Sequence, residues 1–161
     1  MGKPYYLIDF ENVQPKSLGR LQPGSACVRI FYGENQTKVA LDVARTLQPF
    51  GADGDYVPIT GSGPNAVDFH IAFYIGHIAA REPGASFVIV SKDTGFDPLI
   101  RHLKDRGIAC RRIADIPAPP GATPAIKAPP VAKKSKALTV VVLPEPNGAA
   151  AKSIRSRMSV H

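Results

Sequence analysis

Five short apolar runs, separated by stretches with helical rhythm, constrain the fold of this chain more than any other feature. Residues 5–10, 26–32, 55–59, 86–91 and 108–113 read as strands, rich in β-branched and aromatic side chains and bounded by Gly, Pro, Asn or Asp. Between them, Val39, Ala40, Val43, Ala44 and Leu47 keep the i, i+3, i+4 spacing of a helix over residues 36–50, with Gly51 as its C-cap. A longer helix is predicted over 65–81 before Pro83-Gly84, and another over 96–106 before Gly107. A short helical piece at 16–21 is broken by Pro23-Gly24. Such alternation predicts an α/β fold of three layers, a five-stranded parallel sheet with helices on its faces.

The pattern stops near residue 116. Residues 1–116 carry 13 basic and 12 acidic residues, whereas residues 117–161 carry 7 basic and 1 acidic, so six of the seven net positive charges belong to the end of the chain. That end is rich in Pro, Ala and Lys and reads as a basic, largely disordered tail on a single domain. Within it, residues 138–143 could form one short strand against a sheet edge. No apolar run approaches the ~20 residues of a membrane span, and Met1-Gly2-Lys3-Pro4 leads into a strand rather than a secretory leader. Cys27 and Cys110 fall in separate strands, far apart, and read as reduced core thiols of a cytoplasmic protein.

Four aspartates carry the chemistry. Asp9 ends the first apolar run and Asp93 follows the fourth, where open α/β sheets gather their ligands. Asp68 starts a stripe whose steps i+3, i+4, i+7 and i+11 reach Ile71, Ala72, Ile75 and Ala79, so it faces inward. Asp97 opens the next helix. Each has a structural reading beside the functional one. Asp68 could favour a positive helix N-terminus, Asp9 could form a turn, and Asp93, Thr94 or Asp97 could cap a helix. Glu11 and Asn12 follow Asp9 closely. Clustered carboxylates repel unless a cation offsets them, and an all-oxygen set favours Mg²⁺ or Mn²⁺. Lys92, Arg101 and Lys104 could hold phosphates, although exposed charges on helices are common. The four histidines show no ligand spacing, and Gly61-Ser62-Gly63 lacks the Lys-Ser/Thr of a P-loop.

Three ordered segments resemble the PIN-like nucleases, especially their NYN-type branch. They are Leu7-Ile8-Asp9-Phe10-Glu11-Asn12-Val13, Asn65-Ala66-Val67-Asp68-Phe69, and Ser91-Lys92-Asp93-Thr94-Gly95-Phe96-Asp97-Pro98-Leu99-Ile100. The segment Phe31-Tyr32-Gly33-Glu34-Asn35-Gln36 is similar too, and the resemblance spans about residues 4–113. It implies an acidic pocket at the strand carboxyl ends and Mg²⁺- or Mn²⁺-dependent hydrolysis of phosphodiesters, usually in RNA. It implies that Asp9, Asp68 and Asp93 bind metal, that Asn12 orients the first motif, and that Ser91 and Thr94 brace the turn carrying Asp93. Many NYN members have a second Asp where this chain has Gly95, and Asp97 is the candidate replacement. The expected activity is endoribonuclease, with the basic tail adding affinity for RNA. A non-catalytic RNA-binding or scaffolding module is one alternative. A haloacid-dehalogenase-like phosphatase is another, but it needs Asp-x-Asp where this chain has Asp9-Phe10-Glu11.

Overall fold

The computed structural model describes residues 2–15, 17–36, 38–61, 63–117 and 140–142. The five expected strands form one parallel sheet: β1 (Tyr5–Asp9), β2 (Cys27–Tyr32), β4 (Gly54–Pro58), β5 (Ser86–Val90) and β6 (Ala109–Ile113), in the order β4-β2-β1-β5-β6. Register runs Leu7↔Arg29 and Ile8↔Ile30 on one side of β1, and Leu7↔Ile89 and Ile8↔Val90 on the other. Strand β1 is thus central, with neighbours that follow it at very different distances along the chain.

The pleat divides the core. Tyr5, Leu7, Phe31, Phe87 and Ile89 pack beneath α2 (Ala66–Arg81) and α3 (Asp97–Asp105), meeting Val67, Ile71, Ile75 and Leu103. Ile8, Phe10, Val28, Ile30 and Val90 face the other way, against Leu18, Val39, Leu47 and Phe50. The chain moves outward from β1 to β2 and β4 with its connections on one face. It then crosses back through α2 to β5 and on through α3 to β6 with both helices on the other face. Right-handed crossovers require this switch of face when the direction of travel reverses.

One expected helix begins later than its periodicity suggests. Lys38–Ala40 form a strand, β3, and α1 covers only Leu41–Leu47 before a 3₁₀ turn over Gln48–Asp53. Strand β3 pairs antiparallel with β7 (Val140–Val142), a partner one hundred residues away that local spacing cannot reveal. Val39 is buried from this strand rather than from a helix face. The α-helix ends before Pro49, and Gly51 takes a positive φ of 55° inside the 3₁₀ turn, a conformation that suits a residue without Cβ. Apart from β7, the Pro/Ala/Lys-rich end lies outside the described residues. Both cysteines are free, Cys27 buried and Cys110 partly so. Among the described residues no helix is long and apolar enough to cross a membrane.

The α2 stripe anchors the layer above β1. Ile75 is fully buried in that layer. Ile75→Ala should lower unfolding free energy by about 3 kcal/mol, the usual cost of a cavity at such a site. Phe69→Ala, at an exposed position of the same helix, should change it by no more than about 0.5 kcal/mol. Urea unfolding of both variants checks the contrast.

Candidate active site

The strand order places a topological switch between β1 and β5, the position at which open α/β sheets form a crevice. Asp9 is the last residue of β1 and shares the pleat face of Tyr5 and Leu7, so its carboxylate points toward α2. It is only 4% exposed. Ser91, one step beyond Val90 of β5 and fully buried, donates its hydroxyl to Asp9 Oδ2 at 2.9 Å. The Asn12 amide donates to Asp9 Oδ1 at 3.1 Å. Burial pushes the Asp9 carboxyl above its ordinary value, against the opposing pull of these hydrogen bonds.

Ser91 also accepts from the Asp93 amide at 3.0 Å, so a single hydroxyl links the ends of the first and third motifs. Asn12 ties them a second time, its Oδ1 accepting from the Lys92 amide at 3.1 Å. Asp93 caps the turn that follows: Gly95 N–H donates to its Oδ1 at 2.7 Å. A Cβ at Gly95 would lie 3.1 Å from that oxygen, a tight contact that a side chain there could make only if Asp93 gave by a few tenths of an ångström. Gly95 thus serves to hold Asp93, through its amide.

Asp9, Glu11, Asn12, Asn65, Asp68 and Asp93 line one cleft of about 180 Å³. Asp68 reaches it from the first turn of α2, on the inward stripe that its spacing predicts. Desolvation, with the negative charges of Asp9, Asp93 and Glu11, pushes the Asp68 carboxyl up to about 6. Burial and Asp9 likewise raise Glu11. Glu11 folds against the backbone after β2, where a Cβ on Gly33 would collide with its Oε1. Among the described residues, no group of three or more His, Cys, Asp or Glu side chains is disposed to hold a metal ion as it stands.

Other expected residues lie elsewhere. Asp97 is not brought to the cleft. Its Oδ1 accepts from Arg112 Nε at 3.0 Å, and Arg112 Nη1 also donates to the Ser91 carbonyl at 3.2 Å. Thr94 and Lys92 are exposed on the turn, and Arg101 is exposed on α3. Lys104 lines a hollow with Ser86 and Gly107, toward the amino ends of the strands. Two residues were not anticipated. Arg112 sits in Arg111-Arg112, where alternation along a strand must turn one guanidinium toward each face. Asn65 precedes α2 with φ 64° and ψ 16°, a left-handed conformation that Asn tolerates better than most residues, and this brings it to the cleft rim.

Because Asp68 has a folded-state pKa above the ordinary 3.8, ionising it opposes folding. This penalty is absent below the unfolded pKa, grows as pH rises toward about 6, and is fully present above it. With chelator present, Asp68→Asn should therefore melt at higher temperature than the parent protein at pH 7.5, and the gap should close toward pH 4. Thermal melts across that range, followed by circular dichroism, give the comparison.

The chain matches no curated protein and no solved structure at a significant level. The PIN domain family, in contrast, matches residues 3–113, which span the five-stranded sheet and every residue of the cleft. The protein therefore belongs to the PIN domain family.

Proposed function

We propose that the protein is a metal-dependent endoribonuclease of the NYN type, acting in the cytoplasm, where its two free cysteines stay reduced. Membership in the PIN domain family suggests nuclease-type chemistry in general. The observation that carries the finer reading is the convergence of Asp9, Glu11, Asp68 and Asp93 on one cleft, with Asp68 pushed up to about 6 by its acidic neighbours and its burial. The donors are all oxygens, which suits Mg²⁺ or Mn²⁺ rather than zinc. Asp9, Asp68 and Asp93 would hold the cation, with Glu11 beside them. When bound, such an ion activates water and offsets charge on a phosphoryl oxygen.

The chain's own groups do the positioning. Asp9 is oriented by Ser91 and Asn12, and Asp93 by Gly95 N–H and Ser91. Water attacks the scissile phosphorus, the P–O3′ bond breaks, and the products are a 3′-hydroxyl and a 5′-phosphate. Asp97 acts through Arg112, which grips the Ser91 carbonyl and so sets the end of β5. Residues 117–161, with a net charge of +6, add RNA affinity that falls with salt. A second reading, a non-catalytic RNA-binding module, is favoured by the lack of a formed ligand group among the described residues.

Cleavage assays separate the two. RNA should be cut in Mn²⁺ or Mg²⁺ and spared in chelator. Asp9→Asn and Asp93→Asn should each abolish cutting and leave the far-ultraviolet circular dichroism unchanged, because Asn keeps one acceptor oxygen for the backbone amide and, at position 9, its NH2 can donate to the Ser91 hydroxyl. Undiminished cleavage by both variants removes the nuclease reading. Arg112→Ala should lower kcat by about tenfold, the lower end for a residue that orients a ligand, with a smaller effect on KM. A steady-state comparison with the parent protein measures it.

A further inference from the structure

Among the described residues only two large hydrophobic side chains are exposed, Phe69 at 71% and Phe73 at 63%. Both lie on α2, four residues apart, so they share a face about 6 Å apart along the helix axis. Phe73 is ordered by its neighbours, stacking on His77 at 5.6 Å and 19° and meeting Tyr74 edge-on at 5.8 Å. Phe69 forms one wall of a recess of about 430 Å³, with Ala72, Phe96 and Leu99 as its other apolar walls. That volume falls within the ~300–1,000 Å³ of small-ligand sites. The recess shares Asn65, Asp68 and Asp93 with the acidic cleft, so the two are continuous.

We propose that Phe69 and its recess form a nucleobase-stacking subsite, extended by Phe73, which receives unpaired nucleotides of the strand whose phosphate enters the acidic cleft. The inference rests on the nuclease reading of that cleft and assigns to Phe69 and its recess the nucleoside beside the scissile phosphate. A phosphate held in the acidic cleft carries a nucleoside on either side, and the recess begins at Asp68 and Asp93, which also line that cleft. An exposed aromatic ring accepts the face of any base, whereas bases within a duplex already stack on one another. Asn65, on the rim, offers an amide to a base edge. A second copy of the chain fits less well. Two Phe side chains offer at most roughly 300–500 Å², against about 800 Å² per partner in a standard interface.

The chain contains no tryptophan, so Phe69→Trp places the chain's single indole, excited selectively over its tyrosines, at the site. The exposed position should accept the indole, which circular dichroism verifies. In full-length protein also carrying Asp9→Asn to prevent cleavage, with Mg²⁺ present, a single-stranded oligoribonucleotide should quench this fluorescence saturably. The same sequence as a blunt duplex should quench it weakly. In otherwise native protein, Phe69→Ala should raise KM for single-stranded RNA about tenfold and change kcat less, and Phe69→Tyr should restore it. Quenching without any cleavage by the native protein would remove the nuclease and keep the subsite. Cleavage with no quenching and an unchanged KM in Phe69→Ala would remove the subsite and keep the nuclease. Equal quenching by duplex overturns the proposal. So does a concentration-dependent dimer, seen by sedimentation, that Phe69→Ala dissolves without any quenching by RNA.

Discussion

The hydrogen bond from Ser91 to Asp9 joins the ends of two strands that meet only because the chain reverses its direction of travel across the sheet. A carboxylate as buried as Asp9 is costly unless its oxygens find donors. Here the donors come from both sides of the switch point, Asn12 from the loop after β1 and Ser91 from the end of β5. The same hydroxyl takes the Asp93 amide, so the positions of Asp9 and Asp93 are not independent. If β5 shifted by one residue against β1, Ser91 would turn to the opposite face and Asp9 would lose its partner. Register, burial and the acidic cleft are therefore one arrangement.

Much of this arrangement was legible in the sequence. The five apolar runs became the five strands of the parallel sheet, because buried parallel strands read as continuous hydrophobic segments. Asp68 was tied to the interior by the spacing of Ile71, Ala72 and Ile75, and α2 turns it to the cleft. What escaped the sequence depended on distant partners. Lys38–Ala40 carry a helical rhythm that pairing with Val140–Val142 overrides. Asp97 looked like a fourth member of the cluster because it lies four residues after Asp93, but at the start of α3 it pairs with Arg112 of β6 and does not line the cleft. The role of Gly95 is likewise three-dimensional: its amide and its missing Cβ make room for Asp93.

The electrostatics run against stability. Asp9, Glu11 and Asp68 are all raised by desolvation, and Asp68 feels three acidic neighbours in addition. A fold under selection for stability alone would replace such residues with amides, which keep many of the hydrogen bonds without the repulsion. Accumulated like charge in a crevice is the kind of destabilisation that binding sites carry. The surrounding network limits relaxation. Ser91, Asn12 and Gly95 each donate to a carboxylate, and Arg112 secures the Ser91 backbone from outside the cleft.

The size of the cleft then bears on recognition. At about 180 Å³ it is smaller than the ~300 Å³ at which small-ligand pockets begin, and its polar lining suits a phosphate and its counter-ion better than a nucleoside. On the proposed nuclease reading, most of the binding energy for an RNA strand comes from walls next to the cleft. The first turn of α2 supplies two of them at once. Asp68 and Phe69 are consecutive, so their side chains diverge by about 100° around the helix. One is turned to the acidic cleft and the other to the apolar recess beside it. A helix of period 3.6 can present a carboxylate and an exposed ring side by side only if the turn sits at the boundary between core and solvent. The crossover from β4 to β5 puts α2 at that boundary, directly above the end of β1.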